Sequence, residues 1–194
     1  MHQLPGSNRN GTLEQIINFT PFSVDSMPIF SPNDSNPFVD GRQSERALTV
    51  QTGLSRHFED INWAFLPELT LSNGRRADMV AVSPKGQIII VEIKSSVNDF
   101  KTDSKWPEYH DHCDFLFFAT LNDVPAGIFP EETGLFVADN YGAELLRDAP
   151  HLPMNGAKRK SLLIRFSRAS AQRLNRLSLH AGVSGSEFAN KADG

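Results

Sequence analysis

The chain has 194 residues and a net charge of −4, which fits one globular domain and argues against a generally basic nucleic-acid coat. Its single cysteine, Cys113, excludes a disulfide framework and a thiolate metal cluster. There is no apolar run of membrane-spanning length and no basic and apolar leader of the secretory type, so we expect a cytoplasmic protein with no membrane partner.

The first part of the chain differs in composition from the rest. Residues 1–43 are rich in Asn, Ser, Pro and Gly without a sustained period, which predicts a flexible N-terminal arm. Residues 44–180 are predicted to form one domain, and 181–194 a polar tail. The domain is expected to open with a helix that Ser44 caps and that runs to about Phe58.

The remaining elements follow from periodicity and turn residues. We predict strands at 65–71, 76–82, 87–94, 115–121 and 134–138, and helices at 97–101, 107–114 and 157–180. Residues 141–147 fit a strand or a helix, and a strand is favoured. Strands and helices in mixed order, with 88–91 apolar on both faces, predict an α/β fold whose central mixed sheet is flanked by helices.

Two tight hairpins are predicted between the first three strands. Segments 71–74 and 83–86 both end in Gly, as expected when a type I turn is followed by a left-handed residue. Such loops pair Leu71 with Arg75 and Ser83 with Gln87. These two pairings fix the register of all three strands.

The registers bring distant charged residues together. Glu68 falls opposite Asp78, Asp78 falls opposite Glu92, and Lys94 shares the face of Glu92 because side chains alternate along a strand. Like charges directly opposite destabilise a sheet, so a bound cation is expected to offset the repulsion. Carboxylates suit Mg²⁺ or Mn²⁺, which polarises a phosphoryl oxygen and activates water, and Lys94 could position that water or stabilise charge on phosphate. The pattern therefore points to phosphodiester hydrolysis.

These residues also carry a family resemblance. Asp78, followed by Glu92-Ile93-Lys94 at the end of a buried strand, resembles the PD-(D/E)xK nuclease superfamily, although Ala77 replaces the name-giving Pro. The longer string is similar to the MmcB-type bacterial proteins, regarded as DNA-repair nucleases, and reads RRADMVAVSPKG…IVEIKSS…DF…D.KWPEY…CDFLFFA. The likeness covers about residues 44–180 and implies a restriction-endonuclease-like core.

The resemblance also implies roles for the acidic residues. By matching position, Asp78 and Glu92 hold the metal together with the backbone carbonyl of Ile93, and Lys94 assists the nucleophilic water. Many members add a Glu from the first helix. Glu45 is the candidate for that position, but the strand register favours Glu68.

DNA is the expected partner, and several residues near the carboxylates are candidates to contact it. Lys105 and Tyr109 have the four-residue spacing of the Gln and Tyr found in RecB-like members, with Lys in place of Gln. The predicted DNA-contacting set is Arg75, Arg76, Lys101, Lys105 and Tyr109. The basic face of the last helix is a further candidate for contact with the DNA backbone.

Other interpretations fit the same residues. Asp78, Glu92 and Lys94 could form a surface ion-pair ladder, and Glu68 could be a solvated strand residue. In function, the alternative to a nuclease is a non-catalytic DNA-binding repair accessory with a vestigial site. A further alternative is a module that recruits repair partners through the N-terminal arm. The resemblance also implies a possible homodimer, since superfamily members are often dimers. The sequence leaves open the form of the DNA substrate.

Overall fold

A computed structural model of the protein describes residues 44–181, so the predictions for 1–43 and 182–194 lie outside the described residues. The described chain forms three α-helices and six strands. The helices are α1 (Glu45–Asp60), α2 (Val97–Thr102) and α3 (Gly156–Ala181). The strands are β1 (Ala64–Thr70), β2 (Arg76–Val82), β3 (Ile88–Ile93), β4 (Phe115–Thr120), β5 (Gly134–Ala138) and β6 (Ala143–Arg147).

The predicted elements are confirmed with two differences. Residues 107–114 do not form an α-helix: the segment is a 3₁₀ helix, Trp106–His112, which stops before Asp114. The loop predicted between β4 and β5 contains one 3₁₀ turn, Ala126–Ile128. No helix in the described chain is both long enough and apolar enough to cross a bilayer.

The six strands form one mixed sheet whose spatial order follows the chain from β1 to β6. β1, β2 and β3 are antiparallel neighbours, β3, β4 and β5 run parallel, and β6 is antiparallel to β5. This is the α/β fold, with a central mixed sheet flanked by helices, that the sequence predicts.

Both hairpins have the predicted geometry. The Leu71 amide donates to the carbonyl of Arg75 at 2.7 Å, and the Ser83 amide donates to the carbonyl of Gln87 at 2.9 Å. Gly74 and Gly86 have φ of +83° and +78°, in the left-handed region that glycine tolerates best. The registers are therefore set locally by the two turns.

The sheet is covered on both faces. On one face, Val50, Leu54 and Phe58 of α1 pack with Met79 and Phe117. On the other, Leu162 and Phe166 of α3 and Tyr109 of the 3₁₀ helix pack with side chains that include Val80 and Ile90. Burying such apolar side chains contributes about 1.5–3 kcal/mol each. The charged residues at the end of β3 lie on this second face.

Two arginines attach α3 to the sheet. Arg159 donates two hydrogen bonds to the buried carboxylate of Asp114, at 2.6 and 2.5 Å. Asp114 in turn accepts the amide of Ile88 at 2.7 Å. Fourteen residues further on, roughly 21 Å along the helix axis, Arg173 donates to the carbonyls of Pro67 and Glu68. The helix is thus fixed alongside β1, the edge strand.

Helix α1 packs closely on the β5–β6 turn, and this contact gives a test of the fold. A Cβ at Gly53 would collide with the backbone carbonyl oxygens of Asp139 and Gly142. Gly53→Ala should therefore lower the free energy of unfolding by about 1–3 kcal/mol, although alanine favours helix. Urea denaturation measures the change. Gly127→Ala is the matched control, because nothing lies within 4 Å of its new methyl group, and an equal loss in both variants would contradict the packing.

Candidate functional site

Two carboxylates face each other where β2 and β3 separate. The regular pairing of these strands reaches Met79 and Val91, so Asp78 and Glu92 come next in register. The Asp78 amide donates to Glu92 Oε1 at 3.3 Å, and the Ile93 amide donates to Asp78 Oδ2 at 2.9 Å. Each carboxylate therefore accepts a backbone N–H of the opposite strand, and the two side chains are held at one place.

A lysine lies beside this pair. Lys94 Nζ is 3.7 Å from Glu92 Oε2 and 2.6 Å from Asp103 Oδ2. Lys94 and Glu92 are only 5% and 4% exposed, so the ammonium and its carboxylate neighbour are largely removed from water. Asp103 also accepts the amide of Lys105 at 2.8 Å, which fixes the orientation of its carboxylate. We call Asp78, Glu92, Lys94 and Asp103 the carboxylate centre.

Glu68 lies on the neighbouring strand in a strained conformation. It stands opposite Asp78, between the pairs Pro67–Met79 and Leu69–Ala77, with φ of +55°. A left-handed conformation costs a residue with a Cβ about 1–2 kcal/mol. The Glu68 side chain is 14% exposed and lies 2.7 Å from the guanidinium of Arg76. Its carboxylate therefore stands at the rim of the centre, already neutralised by a cation.

Tyr109 closes the centre from the 3₁₀ helix. Its hydroxyl donates to the carbonyl of Arg76 at 3.1 Å, and the residue is 5% exposed. Burial raises the pKa of Tyr109, and the charges of Glu92 and Asp78 raise it further. The phenol therefore stays protonated at neutral pH.

Burial dominates the electrostatics of the two facing carboxylates. It raises the pKa of Glu92 above its ordinary value, and the charge of Asp78 adds to the effect. The pKa of Asp78 is also raised, again by burial first, with the backbone N–H of Ile93 and the charge of Lys94 opposing the rise. The two acids thus resist being ionised together when no cation is present.

The lysine has the opposite balance. Burial lowers the pKa of Lys94, but the hydrogen bond to Asp103 and the charges of Glu92 and Asp78 outweigh burial, so the pKa is raised. Burial acts to raise the pKa of Asp103, yet its hydrogen bonds from Lys94 and the Lys105 amide leave it lowered. The Lys94–Asp103 pair is therefore ionised at neutral pH, and Lys94 is a cation and donor rather than a base.

Metal ligation depends on how many acids converge. Among residues 44–181, no three His, Cys, Asp or Glu side chains form a group that could hold a metal ion. Glu45, the alternative third acid, is exposed in the first turn of α1, which packs on the opposite face of the sheet. The protein thus offers a pair of facing carboxylates, Asp78 and Glu92, with Glu68 beside them in its ion pair.

The residues predicted to contact DNA take different positions. Arg75 forms a two-pronged ion pair with Glu108, at 2.8 and 2.7 Å. Lys101 and Lys105 are exposed on and just after α2. Arg76 is half-exposed beside Glu68, and Tyr109 is buried in the centre. Arg76 and Tyr109 therefore adjoin the carboxylates, while Lys105 is linked to them through Asp103.

Sequence reasoning missed two residues. Asp103 lies in the segment D.KWPEY used for the resemblance, but no strand register places it beside Lys94. Arg173 belongs to the basic helix and donates to the carbonyl of the strained residue Glu68 in β1, 105 residues earlier in the chain. Neither contact can be read from the neighbouring sequence. The one local indication is the capping of α2 by Ser96 and Asp99, which turns the chain immediately after Lys94.

Comparisons with known proteins point to one family. A family model described as DNA repair protein MmcB-like matches residues 34–181. A solved structure of a protein of unknown function from Silicibacter pomeroyi is similar, with 34% sequence identity and a TM-score of 0.68. The match covers 73% of this chain and 97% of that one. No curated protein matches the sequence.

The strain at Glu68 can be measured. Glu68→Gly should be more stable than Glu68→Ala by about 1 kcal/mol, because both variants lose the carboxylate but only glycine adopts a φ of +55° without penalty. Urea denaturation of the two variants gives the difference. If alanine proved equally stable, the strand would be relaxed at this position.

The raised pKa of Glu92 predicts a pH-dependent instability. In the unfolded chain the Glu92 carboxyl has a pKa of about 4.3. The loss of folding stability caused by ionising Glu92 is therefore absent below that pH and grows as pH rises toward the raised folded-state pKa. In EDTA, Glu92→Gln should therefore stabilise the protein on the order of 1 kcal/mol at pH 8 and have little effect at pH 4. Thermal unfolding at both pH values measures this. The control Glu59→Gln, on the exposed face of α1, should show no such trend, and a pH-independent gain at Glu92 would contradict the assignment.

Proposed function

Because this chain belongs to the MmcB-like family of DNA repair proteins, we propose that it is a metal-dependent nuclease that hydrolyses phosphodiester bonds in DNA. The observation that carries the proposal is the carboxylate centre: two buried acids facing each other across β2 and β3, with a buried ammonium 3.7 Å from one of them. The motif Asp78, Glu92-Ile93-Lys94 and the mixed sheet fit the PD-(D/E)xK superfamily.

The charge balance of the centre supports a divalent cation. When Asp78, Glu92 and Asp103 are ionised and Lys94 is protonated, two negative charges remain, and Glu68 is neutralised by Arg76. Asp78 and Glu92, with the carbonyl of Ile93, would hold Mg²⁺ or Mn²⁺. Two carboxylates are an adequate protein share, since Mg²⁺ usually keeps several waters. Once bound, the metal supplies Lewis-acid polarisation of a phosphoryl oxygen and an acidified water.

The other residues of the centre act on the phosphate. Lys94 stays protonated and is fixed by Asp103, so it presents positive charge to the phosphoryl oxygens as charge develops there. Tyr109 covers the centre with a protonated phenol and limits access of bulk water. Glu68 and Arg76 form the rim of the centre, beside the DNA strand that would be cleaved. Because Lys94 is only 5% exposed, its charge acts more strongly than it would in water.

One observation favours a second candidate, a non-catalytic DNA-binding repair accessory. Among the described residues, no three acids form a group that could hold a metal ion, and the ammonium of Lys94 is already bound to Asp103. Such a site could position DNA without cleaving it. This candidate predicts salt-sensitive DNA binding that is unaffected by metal.

A cleavage assay separates the two candidates. Labelled single-stranded, duplex and branched DNA should be cut in Mg²⁺ or Mn²⁺ and left intact in EDTA. Asp78→Asn and Lys94→Met should each reduce the rate at least about 100-fold, because they remove a metal ligand and the charge next to the phosphate. Glu59→Gln, a carboxylate on the other face of the sheet, is the matched control and should cut like wild type.

Metal binding gives an independent readout of the same prediction. At a hundredfold excess over its dissociation constant, the cation should stabilise wild type by about 2.7 kcal/mol and leave Asp78→Asn unchanged. Wild type that binds metal and DNA but cuts none of the substrates would favour the accessory role. Equal cleavage by Asp78→Asn and wild type would refute the assigned centre.

A further inference from the structure

A groove runs between the edge strand β1 and helix α3. Its volume is about 510 Å³, and one wall is formed by Glu68, Leu69 and Thr70. The opposite wall is one face of α3, which includes the polar residues Ser161 and Gln172. Because Arg173 bonds to two carbonyls of β1, both walls are held in a fixed relation.

The helical wall carries a stripe of arginines. Arg165, Arg168 and Arg176 line the groove and are exposed. With Ser161 and Gln172 they are spaced three or four residues apart, which places all five on one side of the helix. Within residues 44–181, none of the three arginines forms an ion pair with a carboxylate. They span roughly 16 Å along the helix axis.

The groove leads to the carboxylate centre. Glu68 adjoins both: it lines the groove, and at the rim of the centre its charge acts on Asp78. Arg173 holds the carbonyl of Glu68 at 2.8 Å, so the basic helix is attached to the strand position nearest the centre. A phosphate chain lying on the arginine stripe would reach the acids by passing Glu68 and Arg76.

We propose that this groove binds single-stranded DNA and guides its backbone to the carboxylate centre. Guanidinium groups are suited to phosphate oxygens, and the stripe presents three of them along roughly 16 Å of helix. An unpaired strand fits better than a duplex because Glu92 and Lys94 are only 4% and 5% exposed. A duplex would have to bring a much wider body between β1 and α3 to reach them. Cleavage at the end of the groove rests on the proposed function. The binding test of the groove does not depend on it.

Binding in EDTA tests the groove separately from catalysis. Fluorescence anisotropy of a labelled single-stranded 20-mer is measured from about 50 to 200 mM salt with the full chain, and an unlabelled duplex of the same sequence competes. Arg165→Gln/Arg168→Gln should weaken binding on the order of tenfold and reduce the slope of log K against log salt by about 1.4, or 0.7 for each lost phosphate contact. The matched control is Arg56→Gln/Lys85→Gln, which removes the same charge from α1 and the β2–β3 turn and should bind like wild type.

Each outcome decides the proposal. If the groove variant binds the single strand as tightly as wild type, if the control loses as much affinity, or if the duplex competes better than the single strand, the groove assignment is overturned, whatever the cleavage assay gives. If the groove variant alone loses affinity, the assignment holds. If wild type then cuts no DNA in Mg²⁺ or Mn²⁺, the proposed nuclease activity fails while the groove stands.

Discussion

The structure depends on two carboxylates held face to face in a place that disfavours charge. Asp78 and Glu92 each accept a backbone N–H of the other strand, which offsets part of the loss of hydration but leaves their mutual repulsion. Lys94 is close enough to help, yet its shorter contact is with Asp103. Ionisation of both acids would therefore leave a surplus of negative charge in a shielded site. Such a surplus weakens the folded state and would be relieved by any cation that the centre binds.

The surrounding fold keeps this arrangement from relaxing. The strands that carry the acids are locked by one short turn and by cores on both faces of the sheet, so the carboxylates cannot move apart without disturbing Met79, Val91 and their neighbours. On the adjacent strand, Glu68 is held in a left-handed conformation, and Leu66 and Leu69 pack in the same cluster although they are three residues apart. Arg173 binds the carbonyls at this irregularity. Strain at a position beside charged, buried groups is expected where function rather than stability fixes the backbone.

The sequence predicts well what is set by local turns and poorly what is set by distant contacts. The glycines at 74 and 86 fix both hairpins, and with them the opposition of Asp78 to Glu92 and to Glu68. The partner of Lys94 could not be predicted this way, because Asp103 arrives after a helix and an irregular segment whose path depends on packing. The conformation of Glu68 was equally hidden, since nothing in its neighbours requires positive φ. The 3₁₀ form of Trp106–His112 has the same origin: Tyr109 must reach the sheet, and tertiary packing overrides helical spacing.

In the proposed function, the burial that would make the centre reactive would also limit what it can recognise. Glu92 and Lys94, at 4% and 5% exposed, have little surface with which to choose among DNA forms. Recognition of DNA would then have to come from exposed residues that stand in a fixed relation to the centre. Helix α3 meets this requirement, because Arg159 and Arg173 attach it to the sheet at two points and leave the arginines between and beyond them facing the groove. Since Arg173 binds the backbone of Glu68, the helical wall that would select a DNA strand is bonded directly to the position of β1 nearest the acids.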